Sequence, residues 1–109
     1  MVLKRGDVVI ASPRGEYGKP RPCIVIQSDL FELTDSLLVC LITSDVREGP
    51  DLRLTLAPAT SNGLRVPSQV MIEKITAVRR ERCRRVGRLK ASEIGRLNAL
   101  LATVIGLNG

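Results

Sequence analysis

Histidine is missing from this 109-residue chain. Its absence closes any mechanism that needs an imidazole as base, proton shuttle or ligand, including serine or cysteine triads and histidine-assisted metal hydrolysis. Arginine, carboxylate and hydroxyl chemistry remain. Tryptophan is absent too, and aromatic residues make up 2%, only Tyr17 and Phe31. A nucleic-acid site in such a chain relies less on base stacking than on backbone amides, arginine planes and phosphate contacts. The cysteines Cys23, Cys40 and Cys83 are odd in number and lack the paired spacing of zinc sites. They read as reduced apolar filler, and neither a metal nor a cofactor is expected. No apolar run approaches the roughly 20 residues that cross a bilayer, and Met1 to Asp7 lacks the long apolar segment of a signal peptide. The expectation is a cytoplasmic protein with no membrane partner.

What is present points toward a polyanion. Apolar content of 44% over residues 1–109 suffices for one modest core, so a single domain is expected. The net charge is +6, and its position is telling: residues 1–78 carry nine cations and nine anions, whereas residues 79–90 carry seven cations against Glu81 alone. A field so concentrated draws nucleic acid by counterion release, and it suits an acidic protein tail equally well. A solvated surface strand and turn is the plainer alternative.

Two segments supply candidate chemistry. Gly18-Lys19-Pro20-Arg21-Pro22-Cys23-Ile24-Val25-Ile26 drives an arginine into an apolar strand, and Leu41-Ile42-Thr43-Ser44 ends another strand in hydroxyls. A guanidinium that cannot lose its proton, placed opposite a hydroxyl, suits a phosphate group. Taken singly, Arg21 could pair with Glu16 or Glu73, and Thr43 could satisfy a strand-end backbone group.

The hydrophobic pattern gives short strands and one helix. Strands are expected over Gly6–Ala11, Pro22–Gln27, Leu37–Thr43, Leu52–Leu56, Gln69–Val78 and Cys83–Val86, the last followed by a turn at Gly87. Within Gln69–Val78, Val70 and Ile72 are expected on the face opposite Met71, Glu73 and Ile75. Ile94, Leu97, Leu101, Val104 and Ile105 recur at helical spacing from an expected N-cap at Ser92, and Gly106 stops the helix. The fold class is mainly β with a C-terminal helix, closing into a small, half-open barrel.

Lys4-Arg5-Gly6-Asp7-Val8, the Gly18-to-Ile26 segment, Leu41-Ile42-Thr43-Ser44, Gly63-Leu64 leading to Pro67-Ser68-Gln69-Val70, and Gly87-Arg88-Leu89 before a helix occur in one order along the chain. Together they resemble the MazF/PemK toxins of type II toxin-antitoxin systems. The resemblance implies an SH3-like barrel, a homodimer, and a metal-independent endoribonuclease cutting single-stranded RNA at short sequences to leave 2′,3′-cyclic phosphate and 5′-hydroxyl ends. It also implies inhibition by an antitoxin whose extended, acidic C-terminal part lies across the substrate groove. By motif position, the family's catalytic arginine and threonine fall on Arg21 and Thr43. Glu73 keeps an acidic position whose partner arginine is here Met71, leaving it an orienting carboxylate or a base. Where some members have a histidine in the first loop, this chain has Glu16 and Tyr17. Tyr17, Lys19, Ser44, Arg65, Ser68 and Gln69, with the basic-run residues Arg79, Arg80 and Arg82, are the expected RNA contacts.

Two other functions fit a small basic barrel. One is a toxin that poisons DNA gyrase by binding protein, which has no need of the Arg21 and Thr43 couple. The other is a non-catalytic RNA-binding regulator.

Overall fold

The computed structural model describes residues 2–12, 18–49 and 52–109. Six strands precede one helix: β1 (Asp7–Ala11), β2 (Arg21–Val25), β3 (Ser36–Thr43), β4 (Arg53–Leu56), β5 (Ser68–Arg79), β6 (Arg84–Arg88) and α1 (Ala91–Val104). They form one sheet in the order β4-β5-β3-β2-β1-β6 with every neighbour antiparallel. The half-open barrel with its C-terminal helix is as expected.

The sheet is buried on both faces, so its central strands are apolar without a break. Ile24, Cys40, Ile42, Leu54, Leu56 and Val70 belong to a core closed by Leu97 and Leu101 of α1. Val9, Cys23, Val25, Leu37, Val39 and Val78 form a second core on the opposite face. Each fully buried aliphatic side chain contributes about 1.5–3 kcal/mol relative to exposure.

Curvature comes from β5. Between its pairings with Ile42 and Cys40 it runs from Val70 to Ile75, five steps against two on β3. The surplus residues bend the strand and reset its alternation. Val70 and Ile72 therefore enter the helix-side core while Val78, of the same parity, enters the other. Simple alternation over Gln69–Val78 holds only up to this bulge.

Two boundaries differ from expectation. The N-cap of helix α1 is Lys90, two residues before the expected Ser92, because the Glu93 carboxylate accepts the Lys90 N–H at 2.8 Å. Its far end closes on Gly106 at φ 79°, with Leu107 N–H bonding Ala102 C=O at 2.8 Å. Gly87 lies inside β6 rather than in a turn. A Cβ there would come within 2.2 Å of the Asn62 carbonyl carbon, so the glycine admits the 59–63 turn against the strand. No described helix is long and apolar enough to cross a membrane.

Candidate active site

Strands β2 and β3 pair Val25 with Val39, Ile24 with Cys40 and Cys23 with Leu41. Carried two residues further, toward the start of β2 and the end of β3, that register sets Arg21 across from Thr43. Alternation places both on the side of Cys23 and Leu41. Thr43 in turn pairs with Gln69 on β5, and Gln69 with Thr55 on β4. The paired row Thr43-Gln69-Thr55 crosses three strands, and the extended β2–β3 register adds Arg21 at its end, about 14 Å across at the usual strand spacing.

The hydroxyl in this row is fixed in place. Thr43 Oγ1 accepts the Asp45 N–H at 3.0 Å, which anchors it and leaves its own proton to donate. Arg21 is exposed at the strand end, and its guanidinium has no hydrogen bond or ion pair with any described residue. The expected alternative, a pairing with Glu73, does not occur; Glu16 and Tyr17 lie outside the described residues.

Beside Arg21 opens a hollow of about 470 Å³. Arg21, Arg65 and Arg84 line it together with the hydroxyl residues Ser44 and Ser68, over an apolar floor that includes Ile42 and Leu64. Among the described residues no carboxylate faces it. Arg84 arrives from the basic run because it pairs with Ile10, which pairs with Pro22 next to Arg21. Arg65 follows a turn braced by Asn62, a buried side chain that accepts from the N–H groups of Ala59 (3.1 Å) and Leu64 (2.9 Å) and donates to Ala57 C=O (2.9 Å). Sequence reading missed Arg84 as a site residue and Asn62 as its neighbour's support. The Asn62-Gly63 dipeptide is a turn signal that marks the second.

The other expected contacts divide clearly. Lys19 is exposed two residues ahead of Arg21. Ser68 is buried, its hydroxyl donating to Val66 C=O at 2.9 Å. Gln69 is also buried and its amide is fully engaged: Oε1 accepts from Arg47 N–H (3.0 Å) and Arg53 Nη1 (3.1 Å), and Nε2 donates to Arg47 C=O (2.9 Å) and Thr55 Oγ1 (3.1 Å). It braces the chain after β3 and has no group left to read a base. Glu73 is exposed in the bulged middle of β5 and does not line the hollow.

Most of the basic run is structural. Arg79 pairs with Ser36 at the far end of β3 from Thr43, about 23 Å away along the strand. Its guanidinium meets Glu81 at 3.0 Å, and Arg80 donates to Thr34 C=O at 2.8 Å and Phe31 C=O at 3.2 Å. Arg85 and Arg88 reach the buried carboxylate of Asp7 at 3.2 and 3.0 Å, while Lys4 N–H caps its other oxygen at 2.8 Å. Arg82 is exposed beside Arg80. Arg79, Arg80 and Arg82 are therefore not gathered with Arg21 and Thr43, and Arg84 alone of the run lines the hollow.

The thiols are not poised for nucleophilic work. Burial pushes Cys23 up to about 12. Burial, with the Glu73 charge adding to it, takes Cys40 to about 11, and burial also raises Cys83. All three stay protonated at neutral pH. Reactive capacity near the hollow rests on arginines and hydroxyls.

Residues 4–105 match the family described as PemK-like, MazF-like toxin of type II toxin-antitoxin system. The chain belongs to this family. It is 38% identical over 109 residues to a probable endoribonuclease MazF of Mycolicibacterium smegmatis, covering 98% of this chain and all of that one. Its fold is that of the Mycobacterium tuberculosis toxin MazF-mt6, with a TM-score of 0.78 at 22% identity over 92% of this chain and 96% of that one. The toxin in a Deinococcus radiodurans MazE-MazF complex is equally similar, with a TM-score of 0.78 at 21% identity over 97% of each chain.

Proposed function

We propose that this chain is the toxin of a type II toxin-antitoxin system and cleaves single-stranded RNA in the hollow at the Arg21 end of the sheet. One observation carries the reading: three arginines and two hydroxyl residues surround that space, with no described carboxylate to repel a phosphate. The RNA's 2′-hydroxyl attacks the adjacent phosphorus, the bond to the 5′-oxygen breaks, and a 2′,3′-cyclic phosphate and a 5′-hydroxyl result. The proton of the 2′-hydroxyl passes to solvent, and solvent returns a proton to the departing 5′-oxygen. Arg21, at the edge of the hollow, stabilises the charge that grows on the phosphorane and hydrogen-bonds the leaving oxygen, while Thr43, on the neighbouring strand end and not itself part of the hollow's lining, hydrogen-bonds a nonbridging oxygen of the phosphate held between them. Fixed donors of this kind supply the largest part of many barrier reductions. Arg65 and Arg84 hold the flanking phosphates. No step calls on a metal ion or on Glu73.

The working form is a homodimer in the cytoplasm, neutralised by an antitoxin that lays an extended acidic segment over the same cations. The M. smegmatis relative bears an endoribonuclease name, and a mycobacterial relative of the same fold is described in complex with its cognate antitoxin. Incubation of the pure protein with a long RNA in chelator tests the proposal. Defined fragments with cyclic-phosphate ends are expected from the native protein and none from Arg21→Ala. Intact RNA with inhibited DNA supercoiling would assign the chain to gyrase poisoning instead, and salt-sensitive binding without scission would make it a regulator.

A further inference from the structure

Among the described residues, the lining of the hollow offers a phosphate cations and hydroxyls but no base. Arg21 comes from β2, Arg84 from β6 and Arg65 from the segment after the Asn62 turn, and Ile42, Leu64 and Val86 are part of an apolar remainder. A guanidinium donates without ever giving up its proton, and a serine hydroxyl is no base at neutral pH. The Ser68 hydroxyl is also engaged, with Val66 C=O at 2.9 Å. Histidine is absent from the chain, Glu73 stands outside the hollow, and burial holds the thiols protonated.

Three nucleophiles can meet a phosphorus there, and they differ in how each is delivered. The 2′-hydroxyl is delivered by the RNA itself, and intramolecular placement of that kind equals effective concentrations on the order of 10⁵–10⁸ M. The 5′-hydroxyl of a released fragment is delivered by that fragment's own phosphates, for which Arg65 and Arg84 stand on the walls of the same space. Water has no such guide. The floor beneath it is apolar, and no described group of the lining takes its proton.

We propose that this protein has a second activity, the rejoining of its own products, and that it leaves the cyclic phosphate unhydrolysed. The proposal rests on the endoribonuclease reading and extends it to the fate of the ends. In the joining step the 5′-oxygen attacks the cyclic phosphorus, the new bond to that oxygen forms and the bond from phosphorus to the 2′-oxygen breaks. The 5′-hydroxyl proton passes to solvent, and solvent protonates the 2′-oxygen. Nothing else is consumed. Arg21 and Thr43 meet the same phosphorane from either direction and so accelerate both. One phosphodiester is exchanged for another, so separation of the two fragments favours cleavage and a high fragment concentration favours joining.

The test uses the native protein in chelator with two purified fragments of one cleaved RNA. One ends in a 2′,3′-cyclic phosphate; the other begins with a 5′-hydroxyl and is labelled at its far end. Label should enter full-length RNA at an initial rate that rises with the concentration of the 5′-hydroxyl fragment, and fresh protein should cut the new joint again. In heavy-oxygen water the cyclic ends should take up no more isotope than in a protein-free control. Arg21→Ala should slow joining at least about 100-fold, by the same factor as cleavage, because a catalyst cannot favour one direction. Opening of the cyclic ends to a monophosphate faster with native protein than with Arg21→Ala overturns the proposal and makes the site a hydrolase. Cyclic ends that persist without joining, at fragment concentrations high enough to compete with cleavage, overturn it as well. A native protein that cuts no RNA would instead refute the endoribonuclease reading.

Discussion

Thr43 stands opposite Gln69 in the β3–β5 ladder, and both side chains grip the same short stretch of backbone. Thr43 takes the Asp45 N–H while Gln69 clasps Arg47 by both its N–H and its C=O. The hydroxyl proposed to touch the phosphate is thus anchored to a stretch of backbone that the buried Gln69 amide braces two residues further on.

Gln69→Ala should accordingly be a structural lesion with a catalytic consequence. It strips partners from the Arg47 backbone, from Arg53 and from Thr55, at a cost of about 2–3 kcal/mol for buried groups left unsatisfied. Urea unfolding should show that loss, and kcat should fall with it because Thr43 loses its support. A stable but merely weak-binding variant would return Gln69 to the role of an RNA contact.

Arg84 separates the useful part of the basic run from the rest. Arg84→Ala should raise KM for RNA about tenfold, equivalent to about 1.4 kcal/mol of binding, with kcat preserved. Arg79→Ala should change KM by less than twofold, because the Arg79 side chain meets Glu81 at the end of β5 far from Thr43. Equal effects from the two would mean that general charge, rather than the hollow, attracts the substrate.

The buried thiols set an alkaline limit. Cys23 and Cys40 are raised to about 12 and about 11 in the folded chain, so the native state holds protons that the unfolded chain releases from about pH 8.5 upward. Stability is therefore complete below that pH and falls as pH rises, by up to about 1.4 kcal/mol per pH unit for each thiol. Urea midpoints measured between pH 8 and 11 should decline, less steeply in Cys23→Ala. Iodoacetamide at pH 8 should label the half-buried Cys83 ahead of Cys23 and Cys40, and equal labelling of all three would contradict their burial.

Much of this was legible in the residues because the informative features were local. The apolar runs at Cys23–Val25 and Leu37–Ile42 became central strands, and the helical spacing of Ile94, Leu97 and Leu101 became α1. The arginine and threonine at adjacent strand ends reflect register, which motif order carried. What escaped depended on contacts distant in sequence. The surplus of β5 over β3 moved Val78 to the other core, Glu93 rather than a serine fixed the helix start, and the Asn62 backbone claimed the space at Gly87. Arg84 could not be told from its basic neighbours without the β1–β6 pairing that lifts it to the rim.

A double-mutant cycle on Arg21 and Thr43, read as the single-turnover cleavage rate of one defined RNA in chelator, tests the shared grip on a phosphate most directly. Arg21→Ala should slow cleavage at least 100-fold, as loss of one preorganised donor does elsewhere, and Thr43→Ala should slow it markedly as well. The double variant should be little worse than the poorer single, because the two act as a unit on one reacting group. Single variants that cut at the native rate, or losses that simply multiply, would contradict it.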